Sequence, residues 1–228
     1  MRSHHVALPF AKGTLDAPEH PRAYALIAHC FAGSRHNLAT ARISKRLAHH
    51  GIATLRFDFP TLMLGDHIEH LRLAHAWLSQ HYQAPSLLIG HSLGGAAVLR
   101  AAIDAPSVTI GSPHDPHRSI LPYVQGSSAT IAGHTVELPE GFLADLSAHS
   151  PHTPPSAPLL VLHAPEDEVV PVTEAEDIFH HAAYPKSLLS LAGSNHMLTT
   201  PGATQRAADL IHAWFESISG SCAGDLIK

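Results

Sequence analysis

Gly90-His91-Ser92-Leu93-Gly94-Gly95 follows the apolar run Ser86-Leu87-Leu88-Ile89 and precedes Ala96-Ala97-Val98-Leu99-Arg100-Ala101-Ala102, a small-residue run suited to a helix. A strand, then Gly-x-Ser-x-Gly, then a helix is the order that gives this short motif a mechanistic meaning. The turn must be tight, which holds Ser92 at strained backbone angles. Gly90 and Gly94 are expected to make room for it, because a Cβ at either position would meet the neighbouring chain. Such a turn lifts the serine hydroxyl above the sheet edge. It also leaves the N–H of Leu93 free at a helix N-terminus, where it can bind a developing oxyanion. Alone, the motif reads equally as a glycine-rich turn, so the rest of the chain must supply an acid and a histidine in order.

Working upstream, Ala23-Tyr24-Ala25-Leu26-Ile27-Ala28 is a continuous apolar run, the pattern of a strand buried on both faces. Residues 38–50 alternate apolar and basic positions as an amphipathic helix stopped by Gly51, and 52–59 read as a strand closed by Pro60. A helix is expected from 66 to 81, and an opening hairpin over 5–10 and 13–16 turning near Lys12-Gly13. Downstream, the helix after Ser92 is expected to run to 104, with a strand at 108–111. That β-α-β-α-β-α-β order predicts an α/β class with a parallel sheet and helices on its faces.

Residues 112–158, rich in Pro, Ser and His, interrupt the pattern. They hold a hairpin over 129–138 and a short helix near 140–148, with Pro151, Pro154, Pro155 and Pro158 returning the chain. This segment is expected to be a small cap excursion that leaves the site open. Strand 159–163, helix 173–183, strand 187–191 and helix 203–218 then resume the alternation, and 219–228 reads as a flexible tail. The expectation is one domain over residues 1–228.

Composition bounds the function. At 45% hydrophobic and 14% charged, 228 residues can bury a sizeable core. A formal charge of −5 gives no electrostatic footprint for nucleic acid or an anionic membrane. No apolar stretch approaches the roughly 18 residues of a membrane span, and Met1-Arg2-Ser3-His4-His5 lacks a signal-peptide core. Cys30 and Cys222 lie in unlike contexts, which argues against a disulfide and for a reducing, cytoplasmic setting. The 22 histidines include no pair in a zinc-site context and read mostly as solvated helix-face residues. No metal or organic cofactor is expected.

A serine hydroxyl needs a base within hydrogen-bond reach, and the base needs an orienting acid. In a parallel sheet these come from loops at the C-terminal strand ends. After 159–163 comes Ala164-Pro165-Glu166-Asp167-Glu168, and after 187–191 comes Ala192-Gly193-Ser194-Asn195-His196-Met197. Ser92, Asp167 and His196 thus follow in the order serine, acid, histidine. Glu166 and Glu168 are rival acids. Asp167 reads equally as a helix cap, and His196 as one more surface histidine. The second oxyanion donor is expected to be the N–H of Phe31, with Gly33 folding that loop back. Cys30 reads as a small buried residue beneath the turn, against the alternative of a reactive thiol, and His29 as a residue shaping the loop by hydrogen bonds.

His29-Cys30-Phe31-Ala32-Gly33, Arg56-Phe57-Asp58-Phe59, the Gly90–Gly95 stretch, His163 to Pro171 and Gly193-Ser194-Asn195-His196 together resemble the ordered motifs of the α/β-hydrolase superfamily, over roughly residues 13–218. The His-Cys-Phe form and the stretch from Ala84 to Ala97 look like a bacterial subgroup often fused to an OsmC-like peroxidase domain. This chain is expected to correspond to the hydrolase part alone. The resemblance implies an α/β-hydrolase fold with an eight-stranded, mostly parallel sheet flanked by helices. It further implies a Ser92–His196–Asp167 triad, an oxyanion hole from Phe31 and Leu93, and ester hydrolysis through an acyl-enzyme. One departure is the short apolar stretch Pro60-Thr61-Leu62-Met63-Leu64-Gly65, where relatives carry a polar, Gly-rich loop. Leu62, Met63 and Leu64 are expected to line an acyl pocket with Phe31, Met197 and Leu198, or to shield a flank. The expected partner is a small-molecule ester with a small to medium acyl chain; a homodimer is open. A thioesterase or acyltransferase using the same triad, and a non-catalytic binding protein of this fold, are the alternative readings. A lidded interfacial lipase fits poorly with so polar a 112–158 segment.

Overall fold

The computed structural model describes residues 1–150 and 155–220. The chain opens with strands β1 (Arg2–Ala7) and β2 (Lys12–Ala17), then β3 (Ala23–Ala28), helix α1 (Leu38–His49), β4 (Ile52–Phe57), α2 (Leu64–His81), β5 (Leu87–His91), α3 (Leu93–Arg100) and β6 (Ser107–Ile110). The excursion holds α4 (Pro116–Ile120), a 3-10 turn at Leu121–Tyr123, β7 (Val124–Gln125), β8 (Ser128–Ile131), β9 (His134–Glu137) and α5 (Phe142–His149). The chain then forms β10 (Leu159–His163), α6 (Val172–His181), β11 (Lys186–Ser190) and α7 (Ala203–Gly220). Among the described residues no helix is long and apolar enough to cross a membrane.

Eight strands form one sheet in the order β1-β2-β4-β3-β5-β6-β10-β11, antiparallel at the β1–β2 and β2–β4 edge and parallel from β4 onward. The period-2 alternation of strand side chains sorts the core into two layers. In β3, Leu26 and Ala28 face α2 and α3, while Ala25 and Ile27 face α1 and α7. In β5, Leu88 takes the first face, Leu87 and Ile89 the second. Burial on both faces is why these strands read as unbroken apolar runs. After β4 the chain crosses to the far side of β3 to lay down β5, so the loops after β3 and β5 leave the sheet at a topological switch point. Ligands bind at such crevices.

Several elements differ from the sequence expectation. The opening turn lies at 8–11, where the Leu8 N–H donates to the Ala11 carbonyl at 2.8 Å, and Lys12 and Gly13 are already in β2. Helix α2 starts at Leu64 because the Asp145 carboxylate, from the excursion, accepts the N–H of Leu64 at 2.5 Å and of Gly65 at 3.3 Å. Helix α3 stops at Arg100, and Ala102 takes a left-handed φ of 52°. The excursion is more ordered than one hairpin and one helix: β7, β8 and β9 form a small antiparallel sheet, with α4 beside it. Arg100 ties this segment to the main layer, donating to the carbonyls of His149, Ser150 and His114. The expectations for Pro151, Pro154, Cys222 and the tail beyond Gly220 lie outside the described residues.

Candidate active site

Strand β5 delivers the chain into Ser92 at φ 56°, ψ −124°, a conformation a residue with a side chain seldom adopts. Surrounding hydrogen bonds hold it there. The Ser92 N–H donates to the Ile110 carbonyl at 2.9 Å, and the Ser92 carbonyl accepts from the N–H of Gly95 at 2.9 Å and Ala96 at 3.2 Å. The two glycines are sterically required. A Cβ on Gly90 would lie 2.5 Å from the Gly94 carbonyl oxygen, and one on Gly94 would lie 2.6 Å from the Ala28 carbonyl oxygen.

Ser92 Oγ lies 3.1 Å from His196 Nε2, and His196 Nδ1 lies 2.8 Å from Asp167 Oδ2. The side chains of His196 and Asp167 are buried and Ser92 is 8% exposed. The other Asp167 oxygen accepts the N–H groups of Val169 at 2.9 Å and Val170 at 2.8 Å. Burial opposes ionisation of Asp167, yet the hydrogen bond and charge of His196 and these N–H groups hold its carboxyl below the usual carboxylate value. The carboxylate therefore fixes the Nδ1–H tautomer, leaving Nε2 to accept the serine proton. Gly111, at φ 53°, keeps space beside it: a Cβ there would stand 3.1 Å from Asp167 Oδ2.

The rival acids have other partners. Glu166 accepts the Gly193 N–H at 3.2 Å, and Glu168 accepts the His196 N–H at 3.3 Å, so both brace the loop that carries His196. Asp167 caps no helix; the cap position of α6 is Pro171. Two buried histidines also clamp the site. His91 Nε2–H donates to the His196 carbonyl at 2.9 Å, and His163 Nε2–H donates to the Val170 carbonyl at 2.8 Å. Most of the described histidines are exposed or partly exposed, as expected from the sequence, but His29, His67, His91, His163 and His196 are buried.

In the loop after β3, His29 donates Nδ1–H to the Cys30 carbonyl at 2.8 Å and accepts the Phe59 N–H on Nε2 at 3.2 Å. Both nitrogens are thus committed and the ring stays neutral, its pKa lowered by burial. Cys30 is a free, buried thiol that burial pushes up to about 11, so it is held protonated near neutral pH.

Ser92 stands between two cavities. One is apolar, about 400 Å³ including its mouth, with Phe31, Leu93, Ile120, Phe142 and Val170 in its wall. The second, about 830 Å³ including open space, runs beneath the β8–β9 hairpin past Gly33, Asn37, His134, His196 and Met197. The Phe31 and Leu93 residues share the apolar cavity with Ser92, and the first N–H groups of a helix such as α3 have no intrahelical acceptor.

The pocket expectation needs correction. Of its residues, Phe31 and Met197 line these cavities; Leu62, Met63, Leu64 and Leu198 line neither. Leu64 is the first residue of α2 and fully buried, Leu62 and Met63 pack against that same core layer, and Leu198 is buried on the α7 side. The excursion supplies much of the walls instead. Sequence reasoning missed Ile120, Phe142 and Leu146. Their signal was there: Pro116 and Ile120, and Phe142 and Leu146, are i,i+4 apolar pairs within a polar segment.

A model of the uncharacterised protein family UPF0227 matches residues 25–200. The esterase domain of a Rhodothermus marinus protein is 33% identical, with 94% of this chain and 98% of that one covered at a TM-score of 0.79. Est1E from Butyrivibrio proteoclasticus (16% identity, 95% and 98% covered, TM-score 0.74) and mouse alpha/beta hydrolase domain-containing protein 10 (14%, 96% and 100%, 0.76) share the fold. No curated protein matches the sequence.

Proposed function

This chain belongs to the UPF0227 family and has the α/β-hydrolase fold, and from that premise we propose that it is a serine hydrolase cleaving carboxylic esters of small to medium acyl chains through an acyl-enzyme. The observation that carries this reading is the hydrogen-bonded line from Ser92 Oγ through His196 to Asp167, at 3.1 and 2.8 Å. The esterase domain named among the relatives supports it.

In this reading Ser92 Oγ attacks the ester carbonyl carbon as His196 Nε2 takes its proton. Asp167 keeps the imidazole oriented and offsets the imidazolium charge. The N–H groups of Phe31 and Leu93 receive the oxyanion, each well-aimed donor contributing about 3 kcal/mol to the transition state. Collapse of the tetrahedral species breaks the bond to the alkoxy oxygen, which leaves as an alcohol with the proton from His196. Water, deprotonated by the same nitrogen, then attacks the acyl-serine; the acid departs and Ser92 regains its hydrogen. The apolar cavity beside Leu93 suits the acyl group.

The test is hydrolysis of p-nitrophenyl esters from acetate to decanoate by the wild type, Ser92→Ala and His196→Ala, with fluorophosphonate labelling alongside. Turnover that collapses in both variants, with labelling lost in Ser92→Ala, is the expected result. A wild type that neither turns over any ester nor takes the label overturns the proposal and favours a binding role.

A further inference from the structure

We infer that the cleft beneath the β8–β9 hairpin is the leaving-group subsite and that it takes an uncharged, hydroxyl-bearing alcohol, such as the glycerol or sugar part of an acyl ester. The inference rests on the serine-esterase reading above and deepens it.

The first step concerns sides. The general acid must hand its proton to the departing oxygen, so the alcohol has to lie where His196 is reachable. His196 is in the wall of the hairpin cleft and absent from that of the apolar cavity, whereas Leu93, an oxyanion donor, is in the apolar wall and absent from the cleft. Ser92, Phe31 and Ile131 belong to both, so Phe31 and Ile131 stand at the divide. The acyl group therefore enters the apolar cavity and the alcohol the cleft.

The second step concerns chemistry. Among the described residues, no Asp, Glu, Lys or Arg lines the cleft. A phosphate-bearing leaving group such as coenzyme A would call for Arg or Lys, and a quaternary ammonium for an acidic or aromatic cage; Phe31 is the cleft's one aromatic ring apart from the two imidazoles. What the wall offers is the polar side chains of Asn37, His134 and Thr135, among small and apolar neighbours. Those groups suit hydroxyls, which can donate and accept. His134 is exposed, on the first residue of β9.

The experiment holds the acyl group constant. Wild-type kcat/KM is measured on glyceryl monobutyrate, butyrylcholine and butyryl-coenzyme A, with p-nitrophenyl butyrate as the reference. The neutral glyceryl ester should exceed both charged ones by tenfold or more. His134→Glu should raise the butyrylcholine-to-glyceryl ratio about fivefold, and His134→Lys should lower it, the effect of one charge near a partly wet site. Both variants should leave the acyl chain-length optimum on p-nitrophenyl esters unchanged, while Ile120→Trp should shorten that optimum without altering the alcohol ratio. Equal or better turnover of a charged ester overturns the cleft assignment, as does a His134 charge that moves chain-length preference and not the alcohol ratio. Failure on every substrate, p-nitrophenyl butyrate included, removes the esterase reading itself. Success on that reference without alcohol discrimination removes only the cleft assignment.

Discussion

Acidification should destabilise this protein above the pH at which its lowered carboxylates titrate, and two buried histidines contribute much of the effect. His91 and His67 are each 1% exposed. Burial pushes His91 down to about 3, helped by the neighbouring His196, and pushes His67 down to about 4. In the unfolded chain each binds a proton as pH falls through about 6.5; in the folded chain neither does until its own lowered value. Between those limits the unfolded state holds more protons, so stability is lost as pH falls, by about 1.4 kcal/mol per pH unit for each group. From about pH 6.5 to 5 the pair together removes roughly 3 kcal/mol, a large share of the ~5–15 kcal/mol of a typical domain. Asp16 and Asp167, whose folded values lie below 3.8, lose their contribution only in a lower window and do not mask this slope. The perturbation that isolates one proton is His67→Phe. A phenyl ring can keep the stack on Phe59, where the ring centroids are 3.9 Å apart, but loses the N–H donated to the Thr61 carbonyl at 2.7 Å. The orphaned carbonyl lowers overall stability by about 1–3 kcal/mol. The slope of stability against pH should nevertheless fall by about 1.4 kcal/mol per unit. Urea melts followed by far-UV circular dichroism between about pH 7 and 5 read both quantities. An identical slope in wild type and variant would refute the reasoning.

Three further outcomes follow from the same coordinates. Asp167→Asn should lower kcat by about 10⁴ through loss of the Nδ1–H tautomer, whereas Glu166→Gln and Glu168→Gln, which alter acceptors of backbone N–H groups only, should cost far less; steady-state kinetics on one p-nitrophenyl ester separates them. Gly95→Ala drives a methyl group into the Ser112 hydroxyl, so its loss of melting temperature should be partly restored by Ser112→Gly, while Gly90→Ala, which meets backbone, has no such rescue. Asp145→Ala removes the cap from the first turn of α2, which should cost about 1–2 kcal/mol by thermal melt, and frees α5, so the KM for longer acyl esters should rise as the Phe142 and Leu146 wall loosens.

The main sheet was legible because each strand buried on both faces had to be an unbroken apolar run, as at 23–28 and 159–163, and because glycines mark where the chain turns. Ser92, Asp167 and His196 were legible for a related reason: in a parallel sheet only the segments just past strand ends can meet, which narrows the partners to a few residues. The pocket was not legible. Its walls come from 112–158, where a wall residue such as Phe142 differs from a surface residue only by which way a short helix is rolled, and long-range contacts set that roll. Asp145 is an example: as a sequence letter it is a surface acid, yet it caps α2 from across the fold. The same contact took Leu64 out of the expected pocket and into the core.

The histidine content was the least legible feature, and the structure gives it one physical logic. A neutral imidazole can donate a single N–H to a carbonyl oxygen without bringing a charge into the interior. His29 follows β3 and locks the Cys30 carbonyl; His91 ends β5 and locks that of His196; His163 ends β10 and locks that of Val170; His67, in α2, locks that of Thr61. Three of the four thus stand at the C-terminal edge of the sheet, where the functional loops leave and where strand hydrogen bonds no longer satisfy the backbone. A lysine or arginine in those places would place a buried positive charge beside an imidazole that, in the proposed mechanism, itself becomes positive during proton transfer. An apolar residue would leave the loop carbonyl unpaired. His29 and His91 serve there because burial lowers their pKa values and keeps the rings uncharged.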